Sequence, residues 1–288
     1  MSALRSLVKL ASWPRVAFPL AAITLALNLV ATTAAAFPAT AKPFSVFNSV
    51  AYDGTPDLSA YGIRSIKTIY EADLDDPPAS HSNDRQFSME KVDNAAQSAG
   101  KNPGELVVLD METWGWNPAA MQKYAKALQE FKRLNPQSKV SMFNKPAPSA
   151  VWRIYQSDAK PLVDHIDFLT PMLYTHGADA AAWAKEAKLI VQLLRQEAPG
   201  KPIYAYVWPQ YNAPHAGCKQ GSLGAQFLPA SVWRSELETL YPIVDGVILW
   251  SPRWACSGSD EETKYPKFDA KMPWFVQTEA FMKAHNIH

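Results

Sequence analysis

Leu106-Val107-Val108-Leu109-Asp110-Met111-Glu112-Thr113-Trp114 is the stretch on which the reading of this chain turns. Four apolar residues in a row, with no polar alternation, read as a strand buried on both faces, as in a parallel sheet. A strand sends alternate side chains to opposite faces. Asp110 and Glu112 therefore share one face and Met111 takes the other. Two carboxylates at the end of an apolar strand are costly unless they have partners. Each also raises the other's pKa, so that one can stay protonated near neutral pH and act as a general acid. The same spacing recurs at Asp260 and Glu262, but in a charged loop, where it is assigned no function.

Working outward, further β-branched or aromatic runs recur at Phe44–Val50, Ser65–Tyr70, Lys139–Phe143, Ile166–Leu173, Pro202–Val207 and Gly246–Trp250. Between them lie helical patterns at Ser88–Ala99, Pro118–Leu134, Asp179–Glu197, Ser231–Tyr241 and Trp274–His285, with a short one expected at Val151–Ala159. Asn117 and Pro118 are an N-cap and a first-turn proline. Trp183, Ala187, Ile190, Val191 and Leu194 line one face of their helix. Strand–helix repetition means an α/β fold with a parallel sheet. No glycine-rich phosphate loop follows any strand, which argues against an open dinucleotide-binding sheet. The expected fold is a single TIM-like (β/α) barrel of seven, or at most eight, strands over Ala41–His288. Asp73–Asp84 reads as a solvated polar loop.

The chain has 288 residues, 48% of them hydrophobic, which is ordinary for a globular domain. Arg5, Lys9 and Arg15 precede an uncharged run, Val16–Ala31, and then Ala34-Ala35-Ala36. That is the three-part pattern of a secretory signal, with cleavage expected between Ala36 and Phe37 and residues 37–288 as the mature domain. The alternative, an N-terminal anchor, is slightly short for a span and carries Pro19. Taking those three cations from the 28 present leaves 25 against 27 anions, a net of −2. No basic block exists, so nucleic acid is not an expected partner. The expected state is a secreted or periplasmic monomer with no stable membrane association. Two cysteines, Cys218 and Cys256, both in Gly/Ser-rich stretches, suggest one disulfide in an exported protein; two free thiols are the alternative. The six histidines form no HExxH or HxH pattern, and no cofactor or metal is expected. The absence of a Gly-x-Ser-x-Gly elbow argues against an esterase.

Aromatic residues gather at the expected strand ends, where barrels carry their chemistry. Their faces suit the C–H surface of a pyranose and their polar tips suit its hydroxyls. Here the chain resembles the hyaluronidase family, within the wider chitinase-like group of barrel glycosidases. That family ends its third strand in Asp-Trp-Glu-x-Trp, matched by Asp110–Trp114. Its fifth strand carries Pro-x-x-Tyr, matched by Pro171–Tyr174, and its last strand Gly-Val-(Ile/Val)-(Leu/Ile/Met)-Trp, matched by Gly246–Trp250. The family barrel has seven strands. Met111 replaces the family's Trp, the fourth strand (VSMFNKPAP) lacks its Pro-x-Cys-Tyr-Asn element, and two cysteines cannot build the animal enzymes' two disulfides.

The resemblance implies retaining hydrolysis in which the substrate's own 2-acetamido group is the nucleophile. It makes Glu112 the acid and then the base, Asp110 the residue that orients the acetamido N–H, Tyr174 a hydrogen-bond donor to the acetamido oxygen, and Trp250 the floor beneath the sugar. Trp114, Trp116, Trp208, Tyr211 and His176 are further candidate substrate contacts, with Arg253 and Trp254 weaker ones. The expected partner is an N-acetylhexosamine polysaccharide. Two alternatives stay open: a muramidase-like two-carboxylate glycosidase, and a non-catalytic carbohydrate-binding barrel. The first needs a second acid at another strand end, where the chain offers only Asp53 and Glu71. The second is disfavoured by the presence of both Asp110 and Glu112.

Overall fold

Each apolar run of the sequence pairs with its neighbour in chain order, and the last returns to the first. The computed structural model describes residues 42–76, 86–100, 102–112, 117–144, 156–212, 223–252, 254–256, 262–264 and 266–288. β1 is Ser45–Ser49. β2 (Arg64–Ser65) and β3 (Lys67–Tyr70) form one strand divided at Ile66. Its first half pairs with β1 and its second half with the third barrel strand. A two-residue ladder, β4 (Asp75–Asp76) with β5 (Gln86–Phe87), follows. Next come β6 (Leu106–Asp110), β7 (Lys139–Met142), the segment 167–173, β8 (Tyr204–Val207) and β9 (Gly246–Trp250). β9 lies parallel to β1, with Ser45 opposite Gly246 and Ser49 opposite Trp250, and this closes the ring. Among the described residues the barrel has seven parallel strands, at the seven places expected.

The fifth strand shows why its pairing is irregular. On the β8 side it keeps a parallel pattern, with Leu169 N–H donating to Pro202 O and Tyr204 N–H to Leu169 O, 2.8 and 2.9 Å. On that same side Pro171 O accepts from Tyr206 N–H at 2.9 Å, but Pro171 has no N–H to give, so the β8 ladder lacks one rung there. On the β7 side hydroxyls add to the backbone bonds: Ser141 Oγ donates to Phe168 O at 2.6 Å and Thr170 Oγ1 to Met142 O at 2.9 Å. These two buried polar side chains thus have partners inside the wall, as burial requires.

The helices are α1 (Met89–Ser98), α2 (Pro118–Leu134), α3 (Gln156–His165), α4 (Ala180–Glu197), α5 (Ala230–Leu240) and α6 (Pro273–Ala284). Asn117 caps α2, its side-chain oxygen accepting from Ala120 N–H at 2.9 Å, and Asp179 caps α4. Two expectations change. The short helix read at Val151–Ala159 is Gln156–His165; it runs through Pro161, and the full burial of Leu162 helps to offset the lost hydrogen bond. The stretch Asp73–Asp84 is not a simple solvated loop, because Leu74 and Asp75 are buried and Lys91 Nζ donates to Asp75 O at 2.6 Å. Residues 77–85 lie outside the description.

Two apolar layers result. Val46, Val107, Leu109, Val140, Val207, Val247 and Leu249 face outward onto the helices. Phe47, Val108, Phe143, Phe168, Tyr206 and Ile248 fill the barrel. At the N-terminal end of the barrel one device appears twice. Asp167 accepts from Val140 N–H at 2.9 Å and from Lys132 Nζ at 2.8 Å. Asp245 accepts from Ile203 N–H at 2.8 Å and from the Arg195 guanidinium at 2.7 Å. Each carboxylate supplies a first rung that the backbone lacks and ties a helix to the strands.

Gly246 sits at this end, where β9 crosses close to β1. A Cβ there would lie 2.3 Å from Ser45 O, a backbone atom with no room to yield. Gly246→Ala is therefore expected to lower stability by about 1–3 kcal/mol, the usual cost of overpacking. Urea unfolding measures this, and an unchanged midpoint would contradict the close approach.

Candidate active site at the barrel mouth

The third strand delivers the carboxylates. Leu106 and Val108 face the barrel interior and Val107 and Leu109 the helices. Continuing the alternation, Met111 is 0% exposed in the outer layer, which leaves Asp110 and Glu112 on the inward face at the C-terminal rim. Asp110 is half-buried and Glu112 exposed. Met111, the departure from the resembling family, thus does a packing job on the opposite side from both acids.

Tyr174 ends the fifth strand inside this rim and is buried. Burial raises its phenol well above the ordinary value, and the negative fields of Asp110 and Glu112 push the same way. That places Tyr174 within electrostatic reach of both carboxylates and keeps its hydroxyl protonated, hence a donor. Trp250, half-buried at the end of β9, stacks on Tyr174 with ring centres 5.4 Å apart and planes 20° apart. Trp208 meets Trp250 edge-on at 5.2 Å and Tyr174 at 5.6 Å. The ends of strands three, five, six and seven thus converge on one mouth.

The remaining candidates divide. His176 is exposed, and its Nδ1 donates to Asn212 O at 2.7 Å, while Asn212 N–H donates to Thr175 O at 2.7 Å. It ties the loop after strand five to the loop after strand six. Tyr211 is buried in the outer apolar layer, apart from the aromatic trio. Trp114, Trp116, Arg253 and Cys218 lie outside the described residues, and for Trp254 and Cys256, in the short strand β10 (Trp254–Cys256), only the backbone is described. The proposed Cys218–Cys256 bridge therefore falls outside the description. Of the two other acids, Asp53 sits in a bridge with Lys267, and Glu71 opens a short 3-10 turn after β3.

Sequence reasoning passed over three residues. Tyr70 pairs in register with Asp110 and is 45% exposed, and its field reaches Tyr174 and Tyr206. Its signal was available, since Thr68 and Tyr70 share a face of β3. Gln210 lies fully buried beneath the aromatic trio. Glu236 sits on the apolar stripe of α5, three residues after Trp233 and four before Leu240. It is buried and accepts from Thr175 Oγ1 at 2.5 Å.

No protein-family model matches the sequence, and no curated protein is similar to it in sequence. The solved structures do show the fold, a (β/α) barrel. A monoclinic crystal structure of bee venom hyaluronidase matches it with a TM-score of 0.55 at 13% identity, covering 84% of this chain and 97% of that one. The same bee venom enzyme in complex with a hyaluronic acid tetramer matches at 0.54 and 14% identity, covering 84% and 96%. At these identities the likeness is one of fold.

Burial pushes the Glu236 carboxyl up to about 8, against the Thr175 hydrogen bond, which lowers it. A folded pKa above the unfolded one means that stability is greatest below about pH 4.5 and is lost as pH rises through about 8. The wild-type protein should therefore lose on the order of a few kcal/mol across that window, and Glu236→Gln should show a flatter profile. Urea unfolding at several pH values checks this; parallel profiles for the two proteins would contradict it.

Proposed function

We propose that this chain is an exported glycoside hydrolase that cleaves an N-acetylhexosamine-containing polysaccharide by a substrate-assisted, retaining mechanism. The observation that carries the reading is the stacking of Tyr174 on Trp250 at the strand ends, at the rim where the alternation of β6 turns Asp110 and Glu112 inward. The sugar lies on Trp250, its acetamido group turned into the barrel. Tyr174 donates to the acetamido oxygen and Asp110 accepts from the acetamido N–H, so the carbonyl oxygen points at the anomeric carbon. That oxygen forms a bond to the anomeric carbon as the glycosidic bond breaks. Glu112, exposed toward the cleft, gives its proton to the leaving oxygen. The cyclic oxazolinium carries a positive charge that Asp110 stabilises. Water, deprotonated by Glu112, then opens it with retention.

The hyaluronic acid tetramer bound to bee venom hyaluronidase supports a ligand of this chemical class. Hyaluronan, chondroitin, chitin and peptidoglycan all carry the acetamido group. The N-terminal pattern supports export, and sequencing the exported protein should find Phe37 first. Glu112→Gln is expected to lower the rate of reducing-end release on the preferred polymer by more than about 10²-fold while leaving the fold intact. Equal rates for the variant and the wild type would remove Glu112 from the mechanism.

A further inference from the structure

We infer that Gln210 is a positioning residue that fixes the aromatic floor of the barrel mouth and through it the affinity for the sugar ring. The inference deepens the carbohydrate reading and rests on it. Gln210 follows β8 and is 0% exposed. Its Oε1 accepts from Tyr52 O–H at 2.5 Å and from Trp208 Nε1–H at 2.8 Å, and its Nε2 donates to Ala225 O at 2.7 Å. An amide oxygen has two lone pairs, and here each meets a buried donor. Turning the amide over would set its NH2 group against two N–H or O–H donors, so its orientation is fixed.

The three partners come from different parts of the rim. Tyr52 follows β1, Trp208 follows β8, and Ala225 lies on the returning loop. Ala225 N–H in turn donates to Tyr211 O at 2.8 Å, and Phe227 bridges Gln210 across that loop. Ser251, just after β9, accepts from Ala51 N–H at 2.9 Å and holds the β1 and β9 exits side by side. Gln210 is thus the point where the exits of the first and sixth strands are tied together.

The consequence falls on ring geometry. The Trp208 indole N–H is used internally, so Trp208 does not donate to a substrate hydroxyl; it acts as a wedge. Its ring stands at 84° to Trp250 and 71° to Tyr174, while those two stack on each other. An indole in this position cannot turn without moving both neighbours. With the acceptor removed, two buried donors lose their partner, and the indole turns to find another. The stacked pair then loses its support, and the sugar loses a flat surface.

Two substitutions test this. Gln210→Met keeps the length and removes the acceptor. Gln210→Glu in its neutral form keeps a carbonyl for Tyr52 and Trp208 and an O–H for Ala225 O; its ionised form sets an oxygen against that carbonyl. Gln210→Met should raise KM, or Kd for chitin oligosaccharides read by tryptophan fluorescence, by about tenfold, with a smaller change in kcat. Its near-UV circular dichroism, to which the Trp208–Trp250 pair contributes, should change while the far-UV spectrum does not. Gln210→Glu should restore both readouts near about pH 5 and lose them toward about pH 8. A wild-type KM and near-UV spectrum in Gln210→Met, or pH-independent behaviour in Gln210→Glu, would overturn the inference. If Gln210→Met fails to fold, the pH series on Gln210→Glu decides alone. A wild-type protein that binds and cleaves no oligosaccharide overturns the functional reading, while the near-UV comparison, which needs no ligand, still decides for or against Gln210.

Discussion

Side-chain alternation along a strand that is buried on both faces governs the rest of this structure. Along β6 each residue has one destination, the barrel interior or the helix layer. Val108 fills the interior; Val107, Leu109 and Met111 fill the outer layer. The barrel below is occupied by Phe47, Phe143, Phe168 and Tyr206, so an inward carboxylate finds room only at the rim. A slip of one residue would send Asp110 among the helices and Met111 into the mouth. The desolvation cost of that exchange is large, and it pins the register. The position of the acids is thus a consequence of packing rather than of any local feature around them.

The two ends of the barrel divide the labour. At the N-terminal end, Asp167 and Asp245 complete the ladder and anchor helices through Lys132 and Arg195, and Gly246 allows β9 to approach β1. At the C-terminal end the polar groups are arranged around an aromatic trio. Glu236, its carboxyl pKa raised by burial, bonds Thr175 and Gln210 bonds Trp208 of that trio, and both stand where stability alone would favour an apolar side chain. Rigid support beneath a site is what precise placement of reacting groups requires.

Much of this was legible in the sequence. Continuous apolar runs such as LVVLD and GVILW have no other ready interpretation than doubly buried strands, and all seven strand positions agree with the structure. The helix cap at Asn117 was equally plain, because a capping side chain acts on its own neighbours. The misreadings are all non-local. The short helix read at Val151–Ala159 is Gln156–His165, and burial of Leu162 carries it past Pro161. The polar stretch after β3 read as a loop, but Lys91 from another element holds part of it. Tyr211 read as a candidate substrate contact, yet it is buried in the outer layer. Gln210 and Glu236 stayed silent because their roles depend on Tyr52, Ala225 and Thr175, which lie 15 to 158 residues away.

The central claim is that the groups at this mouth are arranged around an acetamido side chain that performs the nucleophilic step itself. On the proposed function, two carboxylates on one strand would share one side of the sugar and leave the opposite attack to the substrate. The most direct measurement compares kcat/KM on a chitin oligosaccharide with that on the same oligosaccharide lacking the acetyl group at the cleaved sugar. Cleavage of the acetylated compound and loss of at least about 10³-fold without the acetyl group is the predicted result, since the nucleophile itself is removed. Comparable rates on the two would contradict the account and assign the nucleophilic step to the protein or to water.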